Sequence, residues 1–226
     1  MKRFWTKAHA ETGAVLLDGK PVRTPKRAPL EVPTSALAEA IAAEWDAVGE
    51  TLDPRALPLT GLANAAIDIV APDPAAFADG LARYGETDLL AYRADGPADL
   101  VARQAERWDP LLDWARATYG ADIALTTGVM HRPQSPEAVE RLAAALAAHS
   151  PFALAALSPV ITIGGSLVVG LALAAHAVPA ETLWTAVTLD ERYQEEFWGA
   201  DDLALQARSA RKRDWNAAVR FLELLA

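Results

Sequence analysis

The chain has 226 residues, 52% of them hydrophobic and 23% charged, with a formal net charge of −9 and no cysteine. That size holds one large domain or two small ones, and the apolar fraction excludes a disordered chain. The missing cysteines exclude disulfides, thiolate metal sites and thiol nucleophiles, and the acidic balance argues against general nucleic-acid binding, which rests on neutralising phosphates.

The charge is uneven. Residues 1–27 carry seven basic side chains against Glu11 and Asp18, leaving the remainder strongly acidic. This opening region reads as strands. Phe4–His9 and Ala14–Leu17 are short β-type runs separated by Thr12-Gly13, and Asp18-Gly19 is the usual signal of a two-residue hairpin. Pro21-Val22 and Ala28–Val32 continue the pattern, so the basic groups are expected on a solvated strand surface. Met1-Lys2-Arg3 is followed by Phe-Trp-Thr-Lys and not by an apolar run, so no secretory leader is expected. Thr34 is placed to cap a helix whose face carries Leu37, Ile41, Trp45 and Val48. After a loop bracketed by Pro54 and Pro58, Leu59, Leu62, Ala63, Ala66 and Ile67 suggest a second helix. Residues 1–70 are therefore expected to form a small β-rich domain with one or two helices.

Residues 71–226 read as a larger, all-helical domain, giving an α+β chain. Asp73-Pro74 starts a helix to about Tyr84. Glu86–Arg93 is a connector, either a short strand or a tight turn. Ala98–Tyr119 is helical, with Leu100, Trp108, Leu111 and Ala115 on one face, Gln104 within that arc and Gly120 closing it. Pro110 predicts a kink. Ile123–Leu125 is a short apolar piece, His131–Pro136 a loop, and Ser135 caps a helix to about His149. Pro151 and Pro159 delimit another short helix. Val160–Val178 lacks charge and approaches the ~20 residues of a membrane span, but its glycines predict two short buried elements instead. The last helix, Asp201–Leu225, is expected to bury Leu203, Ala207, Ala210, Phe221 and Leu225.

The helix ending at Gly199 carries the most informative pattern. Ala186, Val187, Tyr193 and Phe197 share one face, and Asp190 and Gln194 fall inside that apolar arc. With Gln104, they are expected to hold helices in register from within, because an unpaired buried polar group costs about 1–3 kcal/mol. Beside them Trp184, Glu191, Glu195 and Trp198 form a face of acids between indoles. Glu191 and Glu195 are like charges at i, i+4, mildly unfavourable, and Arg208, Arg211, Lys212 or Arg213 would relieve them. The plain alternative is a solvated helix side with an arginine nearby. An enzyme using Glu191 and Glu195 as an acid–base pair is the competing function. It lacks a nucleophile, a cofactor cradle and a base brought together. The four histidines show no metal-ligand spacing, so neither metal nor cofactor is expected.

Several stretches together carry a family likeness. They are Leu17-Asp18-Gly19-Lys20, Thr24-Pro25, Ala43-Glu44-Trp45-Asp46, Asp88-Leu89-Leu90-Ala91-Tyr92-Arg93, Gln104 with Trp108-Asp109-Pro110-Leu111-Leu112 and Trp114, Leu189-Asp190-Glu191, Tyr193-Gln194 and Trp198-Gly199. In this order the chain resembles the Atp-twelve family, assembly chaperones of the alpha subunit of the F-type ATP synthase catalytic head. The resemblance implies a non-enzymatic protein that covers the alpha subunit's interface until assembly. It also implies a small β-rich domain before a larger helical one, and a functional acidic helix falling on Asp190, Glu191, Gln194 and Glu195. A bacterial cytoplasmic member is expected, or a mitochondrial matrix protein if the chain is a processed one. On this reading Trp184, Glu191, Glu195 and Trp198 would touch the partner.

Overall fold

The computed structural model describes residues 2–226 and divides into two compact units. The first contains Met1–Pro74 together with Ser150–Ala156 and Asp214–Ala226. Its strands β1 (Ala8–Glu11), β2 (Ala14–Leu17) and β3 (Lys20–Pro21) form an antiparallel meander. The register, with Glu11 opposite Ala14 and Leu17 opposite Lys20, leaves Thr12-Gly13 and Asp18-Gly19 as the two-residue turns read from the sequence. All four turn residues have positive φ, as primed hairpin turns require. A Cβ on Gly13 would stand 2.8 Å from the Val32 carbonyl oxygen, so glycine is needed there for space as well as for φ. Asp18 also accepts from the Thr6 and Lys7 amides, and those bonds hold its carboxyl below the usual aspartate range.

Helix α1 (Ser35–Asp46) is capped by Thr34, whose hydroxyl accepts from the Leu37 amide. Val15, Leu30, Leu37 and Ile41 are buried against one another in one core. α2 (Pro58–Ala65) follows, and Glu44 caps it by accepting from the Leu59 and Thr60 amides. Burial raises the Glu44 carboxyl despite those bonds. The same core takes Ala156, Phe221 and Leu224 from the two later segments, with Phe152 and Phe221 stacked at 6.5 Å. The expected division at residue 70 in chain order is therefore incomplete. Two later segments return to complete the N-terminal core.

The second unit contains Ala75–His149 and Leu157–Arg213. It is built from α3 (Pro74–Ala82), α4 (Ala98–Tyr119), α5 (Pro136–Ala147), the second part of α6 (Pro151–Gly164), α7 (Leu167–Ala174), α8 (Ala180–Val187), α9 (Leu189–Trp198) and the first part of α10 (Asp202–Glu223). It is not all-helical: β4 (Tyr92–Arg93) and β5 (Thr126–Thr127) pair in parallel. α4 continues through Pro110, and α6 continues through Pro159, where a helix end was expected. The apolar run does divide at Gly165-Ser166, with Ser166 capping α7. Gly170 lets α6 approach, since a Cβ there would meet Ile161 at 2.4 Å. Among the described residues no helix is long and apolar enough to cross a membrane.

Candidate functional site

The site forms around a helix break that periodicity did not reveal. α8 ends at Val187 and α9 starts at Leu189. The Thr188 hydroxyl donates to the Trp184 carbonyl at 2.8 Å. The Trp108 indole N–H donates to the Ala186 carbonyl at 2.9 Å. A continuous helix would offer that Ala186 carbonyl to the Asp190 amide, so the indole substitutes for the helical partner at the break.

The break changes what each predicted residue faces. Trp184 is only 2% exposed, with the Lys212 ammonium 4.8 Å from its ring centre, so it supports the surface from below and is not on it. Trp198 is 80% exposed and Phe197 61% exposed. Phe197 had been expected on the buried face, but it lies outside against Tyr193, with ring centres 4.7 Å apart. Tyr193 is buried and donates to Asp99 at 2.7 Å, which ties α9 to the start of α4.

Gln104, Asp190 and Gln194 have three different surroundings, Gln104 being the buried one. It accepts from the Ala94 amide at 2.8 Å and donates to Asp190 Oδ1 at 2.8 Å. Asp190 is half-buried and Gln194 is exposed. Gln194 therefore does not act from inside, because α9 begins afresh after Thr188 and turns it to solvent.

Glu191 and Glu195 find the cations the sequence called for. Arg211 reaches both oxygens of Glu191 at 2.7 Å, and Arg208 meets Glu195 at 2.5 Å. Lys212 takes Glu181, and Arg103 takes Glu196 at 2.7 Å. The two glutamates are thus each held by an arginine of α10. Among the described residues no metal-binding cluster of His, Asp or Glu side chains is present.

Two open cavities meet at Gln194. One, about 350 Å³, lies between α9 and α10 and is lined by Glu191, Trp198, Ala204, Ala207 and Arg211. The other, about 290 Å³, is lined by Arg93, Asp95, Leu100, Gln104, Val129 and Asp190. Val129 was missed by the sequence reading because it sits in a loop without periodicity. An apolar pair in a turn was the available signal.

Other motif residues are structural. Arg93 lies over the Trp108 ring, donates to the Leu90 carbonyl and pairs with Asp109 at 2.7 Å. Asp88 is fully buried and accepts from the Leu90 and Val168 amides.

The sequence profile of the ATP12 chaperone protein matches residues 2–116, and three solved structures extend the likeness over the whole chain. The crystal structure of Atp12 from Paracoccus denitrificans is 46% identical, covering 100% of this chain and 98% of its own, with a TM-score of 0.93. The chain belongs to the ATP12 chaperone family. An aspartate-to-lysine variant of the Paracoccus protein matches at 45% identity and a TM-score of 0.93, with 100% and 98% coverage. A candidate chaperone from Agrobacterium tumefaciens matches at 42% and 0.93, covering 100% of this chain and 86% of its own. Membership makes the protein a chaperone.

Proposed function

We propose that this chaperone binds the unassembled alpha subunit of the F-type ATP synthase catalytic head and shields its subunit interface until assembly, without catalysis. The contact is centred on the outer face of α9, with Trp198, Phe197, Gln194 and Asp190 at its surface. Glu191 forms an edge, while Glu195 acts mainly by fixing α10 through Arg208. Trp184 is withdrawn from the contact set by its burial and steadies the surface beneath. A bacterial cytoplasmic setting accompanies this reading, the solved relatives being bacterial.

The observation that carries the reading is the exposed pair Phe197-Trp198 on a helix whose other side is pinned by Tyr193, Arg103 and the Glu–Arg pairs. Exposed aromatic anchors on an ordered scaffold supply much of the energy of protein interfaces. The open, divided cavities fit a partner surface better than a small ligand, which is usually enclosed over most of its area.

The test is co-expression with the alpha subunit alone. The alpha subunit should stay soluble and co-purify with this chain, and Trp198→Ala should reduce both. If alpha precipitates equally with and without the chaperone, the proposal is wrong.

A further inference from the structure

The segment Leu125–Gln134 exposes apolar side chains while its backbone is firmly held. Val129 is 93% exposed and Met130 76%. Nevertheless, the Gly128 amide donates to the Arg93 carbonyl at 2.8 Å, and the Thr126 hydroxyl to the Met130 carbonyl at 3.2 Å. Arg132 donates to the Leu125 carbonyl at 3.1 Å, and His131 Nδ1 meets the Tyr92 hydroxyl at 3.1 Å. At the base, buried Gln134 bonds both the amide and the carbonyl of Ala124. Two large apolar side chains thus stand in water on a loop closed by its own bonds. Burying each would be worth about 1.5–3 kcal/mol, and the fold leaves that gain for another molecule.

Gly128 and Val129, at the tip of this finger, border the cavity that is also lined by Asp95 and Asp190. Among the described residues neither carboxylate is in an ion pair. The neighbouring Arg93 charge is already committed to Asp109. Gln104 occupies one oxygen of Asp190, while Leu100 and Val129 give the cavity apolar walls. A negative notch between apolar walls is complementary to a cation on an aliphatic stem. Its volume, about 290 Å³, suits one long side chain and not a cofactor.

We propose that Val129 and Met130 form a rigid apolar finger beside a cation notch made by Asp95 and Asp190. The occupant is an extended protein segment carrying an arginine or lysine between aliphatic residues. The basic side chain enters the notch, and its aliphatic neighbours lie on Val129, Met130 and Leu100. This rests on the chaperone's proposed client being the alpha subunit and names the chemistry of the client segment.

The test has two arms. In the first, wild type and the double variant Val129→Ser, Met130→Ser are titrated with purified alpha subunit. The variant should bind at least about tenfold more weakly with an unchanged circular dichroism melting curve. Equal affinity overturns the finger. In the second, the blocked peptides Val-Leu-Arg-Leu-Val and Val-Leu-Glu-Leu-Val are titrated into isotope-labelled protein and followed by amide NMR shifts. The arginine peptide should move the amides of Ala94, Gly128 and Gln194, and Asp95→Asn should weaken it severalfold, with less binding at high salt. Equal shifts with the glutamate peptide, or none with either, overturn the notch. If wild type fails to hold alpha, the client assignment fails while the peptide arm still decides the notch.

Discussion

Asp88 and Asp190 both stand at the start of a helical turn in motif-bearing stretches of the second unit, and their surroundings are opposite. Asp88 is fully buried, and its carboxylate meets the Leu90, Leu167 and Val168 amides and the Ser166 hydroxyl. Its capacity is used up within the fold, joining the turn at Leu89–Ala91 to the start of α7. Asp190 is half-buried, and Gln104 bonds one oxygen. It lines an open cavity beside exposed Gln194. An acid enclosed by internal donors is part of the scaffold. An acid left partly unsatisfied at a cavity is available to a partner.

The largest effect should come from removing the enclosed acid. Asp88→Ala strands several buried donors and should cost about 3 kcal/mol of stability, a fall in Tm of roughly 6–12 °C. Alpha-subunit affinity per folded molecule should be unchanged, as measured by titration well below the melting range. Asp88 also makes the comparison pH-dependent. Burial pushes its carboxyl up from 3.8 to about 6 in the fold, against the pull of its hydrogen bonds. The folded state therefore takes the proton before the unfolded state does. The stability linked to that proton is full below about 3.8 and is lost as pH rises to about 6, a change of about 3 kcal/mol. Denaturant titrations between those limits should show wild type losing stability relative to Asp88→Asn as pH rises. A constant difference would mean that Asp88 keeps an ordinary pKa.

The next effect belongs to the open surface. Trp198→Ala should weaken alpha binding by about 2 kcal/mol, roughly 30-fold, with no measurable change in melting. Asp190→Asn sharpens the contrast with Asp88. It keeps an acceptor for Gln104 and removes the charge, so it should cost under about 0.5 kcal/mol of stability. It should still weaken alpha binding by about 1 kcal/mol. If Asp190→Asn destabilises the fold as strongly as Asp88→Ala and leaves binding intact, the two aspartates share a structural role.

Much of this was visible in the sequence, where the controlling interactions are local. Gly13 and Asp18-Gly19 announced their turns because positive φ favours glycine and aspartate, while Thr12 takes a positive φ that its β-branched side chain does not favour. The glycines divided the apolar run for the same conformational reason. The i, i+4 repulsion of Glu191 and Glu195 pointed to α10 as the source of relief, and Arg208 and Arg211 supply it. The errors arose where distant groups decide the outcome. The Trp108 indole accompanies a helix break at Thr188, and that break shifts the phase, so Trp184 is buried while Gln194 and Phe197 emerge. Leu203 is 74% exposed although its spacing placed it on a buried face, since periodicity shows which residues share a face but not whether anything covers it. The return of residues 150–156 and 214–226 to the N-terminal core leaves no mark in local composition. The Val129-Met130 finger has no period to detect.

The smallest expected effect separates the two glutamates of α9. No residue from 202 to 209 has a buried side chain, so ion pairs are the chief side-chain ties holding the start of α10 to α9. The Glu195–Arg208 pair is 23% and 17% exposed, whereas Glu191–Arg211 is 43% and 38% exposed. Water and salt screen the second pair more, so its coupling should be only a few tenths of a kcal/mol. The better-shielded Glu195–Arg208 pair should approach about 1 kcal/mol. Double-mutant cycles using Glu195→Gln with Arg208→Gln, and Glu191→Gln with Arg211→Gln, measure both couplings directly. Hydrogen exchange at the amides of residues 205–209 should accelerate more in Glu195→Gln than in Glu191→Gln, and added salt should narrow the wild-type advantage. If the order is reversed, the exposed bifurcated contact to Glu191 anchors α10, and Glu191 is then too firmly engaged to serve as an edge for the partner.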